Sequence, residues 1–529
     1  MTQPVRRLRG ARRAVGLVTA AAAASLLLSS CLVLPFLPSG GSSSGSSSSS
    51  SGPTTPQTPP AGTTGLDRFY QQRLSWSSCT GGECSTLTVP IDYANPAGGS
   101  IQLALLKVPA RNGDQRIGSL VVNPGGPGGS GIDYARQANQ IVGKEVRRRY
   151  DIVGFDPRGV GKSAPIDCLN DADLDTFLGT DPTPDNPAEE QALIAAAKKL
   201  SDGCLAKNPQ LIGHVSTVDA AKDMDILRAA LGESKLTYLG KSYGTFLGST
   251  YADLFPTLVG RMVLDGVVPP DLTSKEVNIG QATGFELATR AYVANCIKRS
   301  DCPVGQSVDE GMQWIRDFLQ GLDSQPIPVT DDQRITQLTE AWGSMGIAEA
   351  MYDTSLWDVL NDALRAAKDG SGNKLMRLAD LMGDRTPGGQ YSGNIMEVIY
   401  AVNCLDRADT ADPTQVEANA VEAERVAPTW GKFLVWSSVA CGEWGVKATG
   451  SPHRVTAPGS GPIVVVGTTR DPATIYEWSV RLRQELSNAV LITWDGDGHT
   501  AYTRSNSCVD NPIDDYFING TTPQDGLKC

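Results

Sequence analysis

Histidine is scarce in this chain: 529 residues carry only His214, His453 and His499. Any chemistry that needs an imidazole base must use one of these three. Positive charge is also short, with 46 Lys and Arg against 58 Asp and Glu and a formal net charge of -12. No broad basic surface follows from that balance, so nucleic acid is not an expected partner. Disorder is excluded for most of the chain, because 40% of residues are hydrophobic and 20% charged, as in globular proteins. The length exceeds that of a single typical domain of roughly 150 residues.

The first 13 residues contain Arg6, Arg7, Arg9, Arg12 and Arg13 and no acid. Residues 14–28 are then apolar apart from Thr19 and Ser25. A positive segment followed by an apolar one is an export signal. It ends in Leu28-Ser-Ser-Cys31, which resembles a bacterial lipobox. That motif implies cleavage before Cys31 and lipidation of its thiol. Residues 32–37 remain apolar, so two other readings stand. Residues 14–37 can stay uncut as a membrane span, being longer than the ~20 residues required, or the protein can be simply secreted. All three export it, to the outer face of the cytoplasmic membrane or the cell envelope, or beyond.

Residues 38–65 are almost entirely Ser, Gly, Thr and Pro. Such a segment cannot bury a core and reads as a flexible tether. The remaining ten Cys are even in number, as a disulfide framework in an oxidising compartment requires. Their clustering predicts the pairs Cys79 with Cys84, Cys168 with Cys204, Cys296 with Cys302, Cys404 with Cys441 and Cys508 with Cys529. A zinc site is the rival reading of the same cysteines, and wide spacings with so little His oppose it. No metal or organic cofactor is expected.

From about residue 86 short apolar runs alternate with helical patterns. Runs at 103–108, 119–123, 150–155, 236–239, 261–268, 462–467 and 489–494 read as strands. Residues 219–231 carry Ala220, Met224, Leu227 and Leu231 on one helical face. Continuous apolar strands separated by helices argue for a mostly parallel sheet covered on both faces. Between about 272 and 455 the alternation stops, and the chain looks helical, as at 361–381. The expected organisation is a signal at 1–30, an anchor and tether at 31–64, an α/β core at 65–271, a helical cap at 272–455 and the rest of the core at 456–529.

Gly240-Lys-Ser-Tyr-Gly244 follows one strand and precedes a helical stretch. Small residues flank the Ser because a tight strand-to-helix turn crowds its neighbours and leaves the hydroxyl exposed. The same pattern at residues 41–45 lies in the tether and lacks that context. Ser242 is therefore the candidate nucleophile, and it needs a general base. His499 follows the last strand, where the base of an α/β-hydrolase lies; His214 and His453 are more simply structural or exposed. Asp471, just beyond the strand at 462–467, completes the expected order Ser, Asp, His. Asp265 and Asp497 are rivals for the acid, and any of the three can instead cap a turn. Backbone N–H groups of Tyr243 and Gly126, with Gly125 next, are candidates for the oxyanion hole, because glycines in residues 123–129 let the backbone approach a substrate.

Asn123-Pro-Gly-Gly-Pro-Gly, Gly154-Phe-Asp-Pro-Arg-Gly159, Tyr238-Leu-Gly-Lys-Ser-Tyr-Gly-Thr245, Thr468-Thr-Arg-Asp-Pro-Ala-Thr474 and Gly496-Asp-Gly-His499 together resemble the secreted bacterial tripeptidyl aminopeptidases. These are proline-iminopeptidase-like α/β-hydrolases, and the resemblance runs from about Cys79 to Cys529. It implies an α/β-hydrolase fold with an inserted cap and release of short peptides from free N-termini. It also implies Ser242 as nucleophile, Asp471 as acid and His499 as base. Pro124 stands where the iminopeptidase form has His in the oxyanion loop. Residues 400–406 and 441–444 are similar to family cap segments, so Asp406 and Glu443 are candidates to bind the substrate ammonium, against the plainer reading as solvated or paired charges. Because the family also contains esterases, a carboxylesterase acting on small or cell-envelope esters is the alternative. A non-catalytic binding protein on the same fold is the rival from another class, opposed by the full set of reacting groups.

Overall fold

A computed structural model describes residues 58–60 and 63–529. The expected export signal, Cys31 and most of the expected tether lie outside the described residues. Among the described residues no helix is long and apolar enough to cross a membrane.

Ten strands form one sheet, in the order β1-β2-β3-β5-β4-β6-β7-β10-β11-β12. They are β1 (Ser77–Cys79), β2 (Gly82–Pro90), β3 (Ser100–Val108), β4 (Gly118–Asn123), β5 (Tyr150–Phe155), β6 (Leu236–Lys241), β7 (Val259–Asp265), β10 (Ile463–Arg470), β11 (Ala489–Asp497) and β12 (Leu527–Lys528). A separate two-stranded ribbon pairs β8 (Ile327–Pro328) with β9 (Gln337–Leu338). The strands β1, β2, β3 and β5 pair antiparallel, and every pairing from β5 through β4 to β12 is parallel. Each residue of β4 and β5 is buried, as sheet strands covered on both faces must be. Alternation divides them: Val121 and Val153 join the core on one face, with Leu247 and Leu227, while Leu120, Val122 and Ile152 join the other, with Ile513 and Phe517.

The helix Thr217–Ala230 begins at Ser216, whose side chain accepts from Asp219 N, and buries Ala220, Met224 and Leu227 as its spacing predicts. The segment 361–381 is two helices, Trp357–Lys368 and Asn373–Met382. The break comes at Gly370, whose φ of +83° ends the first helix as only glycine does easily.

Nine helices separate β7 from β10, from Ser274–Cys296 to Val439–Gly442. They share their core with an earlier part of the chain. Leu174 and Leu178 of the helix Asp171–Leu178 pack with Ala282, Met345 and Trp430, and Ala197 of Pro187–Lys207 packs with Val416 and Trp436. Arg385 fastens this junction, donating to Asp175, Asp332 and Asp380 in a buried cluster. The helical layer is thus assembled from two stretches of chain, and hydrophobic periodicity alone did not show that 171–207 belongs beside the later helices.

All five expected cysteine pairs are disulfides. The motif at 154–159 is structural. Asp156 accepts from Ser130 Oγ and from the N–H groups of Ile132 and Lys162. Arg158, fully buried, forms a two-pronged pair with Asp223 and donates to the carbonyls of Pro90, Ile91 and His214.

Candidate active site

β6 runs straight into the helix Tyr243–Leu254, and Ser242 sits at the junction with φ +56°. A positive φ at a non-glycine residue is the strained elbow that lifts a hydroxyl off the sheet. The flanking glycines are required by space. A Cβ on Gly240 would lie 2.3 Å from the Gly244 carbonyl oxygen, and one on Gly244 would lie 2.8 Å from Asn123 Oδ1. Ser242 N donates to the Asp265 carbonyl, and Thr245 Oγ1 donates back to the Ser242 carbonyl. The first bond holds the turn against the end of β7, and the second closes the turn on itself.

The glycine-rich loop leaves β4 at Asn123, whose Oδ1 accepts from Gly125 N at 3.0 Å. Gly125 abuts the elbow so closely that a Cβ there would lie 2.7 Å from Ser242 Cβ. Gly126 and Pro127 line the same cavity as Ser242 and Tyr243. Tyr243 is the first residue of its helix, so its N–H lacks an intrahelical acceptor. The two candidate oxyanion donors thus belong to backbone that borders one space. The Tyr243 hydroxyl is 2.7 Å from Thr217 Oγ1.

His499 follows β11, and Asp471 follows β10. The Asp471 carboxylate lies 2.8 and 2.9 Å from His499 Nδ1. It is buried, and it also accepts from the N–H groups of Ala473, Thr474 and Thr500. Those three donors fix the carboxylate, which fixes the ring. Nε2 is buried and has no partner among the described residues. The ring stands edge-on to Tyr352 at 5.2 Å, and His499 N donates to the Tyr352 carbonyl. Gly266 joins the two halves of the site: a Cβ there would lie 3.4 Å from His499 Cε1, and the preceding carbonyl holds Ser242 N.

The rival acids point elsewhere. Asp265 accepts from Ala501 N and Tyr502 N and lies near Lys241 Nζ, whereas Asp497 pairs with Arg470. His214 serves through its carbonyl, and the His453 ring meets the Ser451 carbonyl and Asp253 at the surface.

A cavity of about 360 Å³ opens at Ser242 beneath the helical layer. Its walls include Phe177, Phe246, Phe285, Tyr352, Trp430 and Phe433. Among the described residues lining it, Arg407 alone is charged. Asp406 is not on that wall. Its oxygens accept from Thr217 N at 2.8 Å and Thr217 Oγ1 at 2.5 Å, behind Tyr243, and burial pushes its carboxyl up to about 6. Glu443 closes the short helix Val439–Gly442, and it too is not on the wall. Thr217, Tyr352 and Arg407 were missed in the sequence. Arg407 directly follows a segment singled out there, but nothing local distinguishes a cavity guanidinium from a surface one. Asp181, between the lining residues Thr180 and Pro182, Glu189 and Asp323 bring carboxylate oxygens within 4.8 Å of one another, and no ligand is assigned to them.

Similarity to known proteins runs over nearly all of this architecture. The family described as "TAP-like protein" matches residues 427–529, which include Asp471 and His499. The tripeptidyl aminopeptidase of Streptomyces lividans is 32% identical over 488 residues, covering 87% of each chain. The chain belongs to the tripeptidyl aminopeptidase family of α/β-hydrolases. It is a serine hydrolase of that family. The serine protease Hip1 of Mycobacterium tuberculosis is 40% identical over 483 residues, 87% of this chain and 91% of that one. Carboxylesterase B of the same organism is 36% identical over 493 residues, 89% of this chain and 93% of that one.

Proposed function

We propose that this chain is an exported serine peptidase that forms an acyl-enzyme on Ser242 and releases short peptides from the N-terminus of its substrates. The observation that carries the reading is Asp471 on His499 Nδ1, with Nε2 left unpartnered among the described residues. An imidazole held in that way presents an unprotonated Nε2 to a serine hydroxyl. Ser242 Oγ attacks the carbonyl carbon while Nε2 takes its proton. The developing oxyanion is met by the N–H groups of Tyr243 and Gly126. Nε2 then gives its proton to the leaving amine, and water repeats the sequence on the ester. Asp471 stabilises the imidazolium formed in between. The similarity to proteins named serine protease and tripeptidyl aminopeptidase supports peptides as substrates. The charged N-terminus, Leu28-Ser-Ser-Cys31 and the Ser-rich tether support a lipid-anchored position outside the cytoplasmic membrane.

Carboxylester hydrolysis is the second reading. It is favoured by a cavity wall that is mainly apolar and, among the described residues, holds no carboxylate to receive an ammonium, and by the similarity to carboxylesterase B. Tripeptidyl chromogenic amides with free and blocked N-termini, set against simple esters, separate the two. The peptidase reading expects the free amide to be cleaved well above the blocked one, and no amide cleavage at all sinks it.

A further inference from the structure

Arg407 is the one charged residue among the described residues lining the cavity, and the reaction steps above do not use it. It follows the helix Ile395–Asp406 and is 7% exposed. A buried cation is costly unless it is paired and hydrogen-bonded. A guanidinium carries five N–H donors. Here Nε donates to the Leu272 carbonyl at 2.9 Å, and the face of the group lies 4.5 Å from the centre of the Phe246 ring. Nη2 is buried with no acceptor among the described residues, and no ion pair to Arg407 forms among them.

The acid adjacent in sequence does not fill the gap. Asp406 gives both oxygens to Thr217. Burial pushes the Arg407 guanidinium down, with Asp406 only partly restoring it. The unmet donor belongs to a side chain that lines the cavity with Ser242, Asn403 and Phe246. Such a wall disfavours an ammonium near Arg407 and suits an anion with two oxygens.

Resting on the assignment of this cavity as the substrate site, we propose that Arg407 binds a carboxylate in the acyl portion of the substrate. The carboxylate belongs to an acidic side chain of a peptide or to the far end of a diacid half-ester. Those two sources share one chemistry, and the test separates them.

Two matched substrate pairs are measured: tripeptidyl amides differing as Glu against Gln, and 4-nitrophenyl hydrogen glutarate against its methyl ester. The wild type is expected to favour the anionic member of at least one pair by about ten- to a hundredfold in kcat/KM, the range for a hydrogen bond to a charged group. Which pair responds identifies the source. Arg407→Met should abolish the preference by lowering kcat/KM for the anionic member towards that of its neutral partner, and Arg407→Lys should keep part of it. A binding arm needs no turnover: glutarate should raise the melting temperature of Ser242→Ala, glutaramide should not, and Arg407→Met added to that variant should remove the shift. Equal rates within both pairs, or a preference that survives Arg407→Met, overturns the assignment. A wild type inactive on every substrate whose Ser242→Ala form still binds glutarate through Arg407 overturns the hydrolytic reading and upholds this one.

Discussion

The Asp471 carboxylate holds His499 Nδ1 with both of its oxygens, at 2.8 and 2.9 Å. Its geometry is itself set by three backbone donors, so the ring is held in one orientation. Asp471→Asn offers Nδ1 an amide that donates as well as accepts. Turnover should fall by about 10⁴ with little change in melting temperature, as for triads elsewhere. Asp265→Asn, whose carboxylate contacts Ala501 N and Tyr502 N and not the imidazole, should act chiefly on stability. Steady-state kinetics beside thermal melts of both variants check this. A loss below tenfold for Asp471→Asn moves the acid role elsewhere.

Asp406 introduces a pH dependence. Burial raises its carboxyl from 3.8 to about 6 in the folded protein. The native state therefore holds this proton over a range in which the unfolded chain has released it. Stability from this group is complete below about pH 4 and is lost as pH rises towards about 6. The wild-type melting temperature minus that of Asp406→Asn should fall between pH 4 and pH 6 and then level off. A difference that stays flat over that window contradicts the burial account.

The Cys404–Cys441 disulfide ties the helix Ile395–Asp406 to Val439–Gly442, and Cys441 lines the cavity. Replacing both cysteines by serine should cost about 2–4 kcal/mol for a closed loop of this kind. Denaturant unfolding measures it. Activity per folded molecule should fall as well, because the pair braces a wall that includes Asn403 and Arg407. Full activity with full stability removes that role.

The proposed lipid anchor at Cys31 is tested in cells. Cys31→Ala should shift the protein from the membrane fraction to the medium or the periplasmic wash, without changing hydrolysis by the purified enzyme. Fractionation with intact-mass measurement reads both, and an unchanged membrane association points to the uncut apolar segment instead.

Much of the sheet was legible because its strands are buried on both faces and read as unbroken apolar runs, as at Gly118–Asn123 and Tyr150–Phe155. Ser242, Asp471 and His499 were legible because each lies at a strand end with distinctive turn chemistry. The cysteine pairs followed from spacing. The rest depends on contacts distant in sequence. Leu174 meets Trp430, and Arg385 meets Asp175, across more than two hundred residues, and no local pattern encodes either meeting. Asp406 was a candidate ligand for an ammonium because residues 400–406 are similar to family cap segments. Only the fold shows that Thr217 takes both of its oxygens.

Ser242 is proposed to cleave peptides from their N-termini. The direct measurement treats an unbiased peptide mixture with purified wild type and with Ser242→Ala and identifies new N-termini by mass spectrometry. Products shortened by a few residues from the original N-terminus, three above all, are expected with wild type and none with Ser242→Ala. Internal cleavage throughout, no cleavage, or identical products from both proteins contradicts that role.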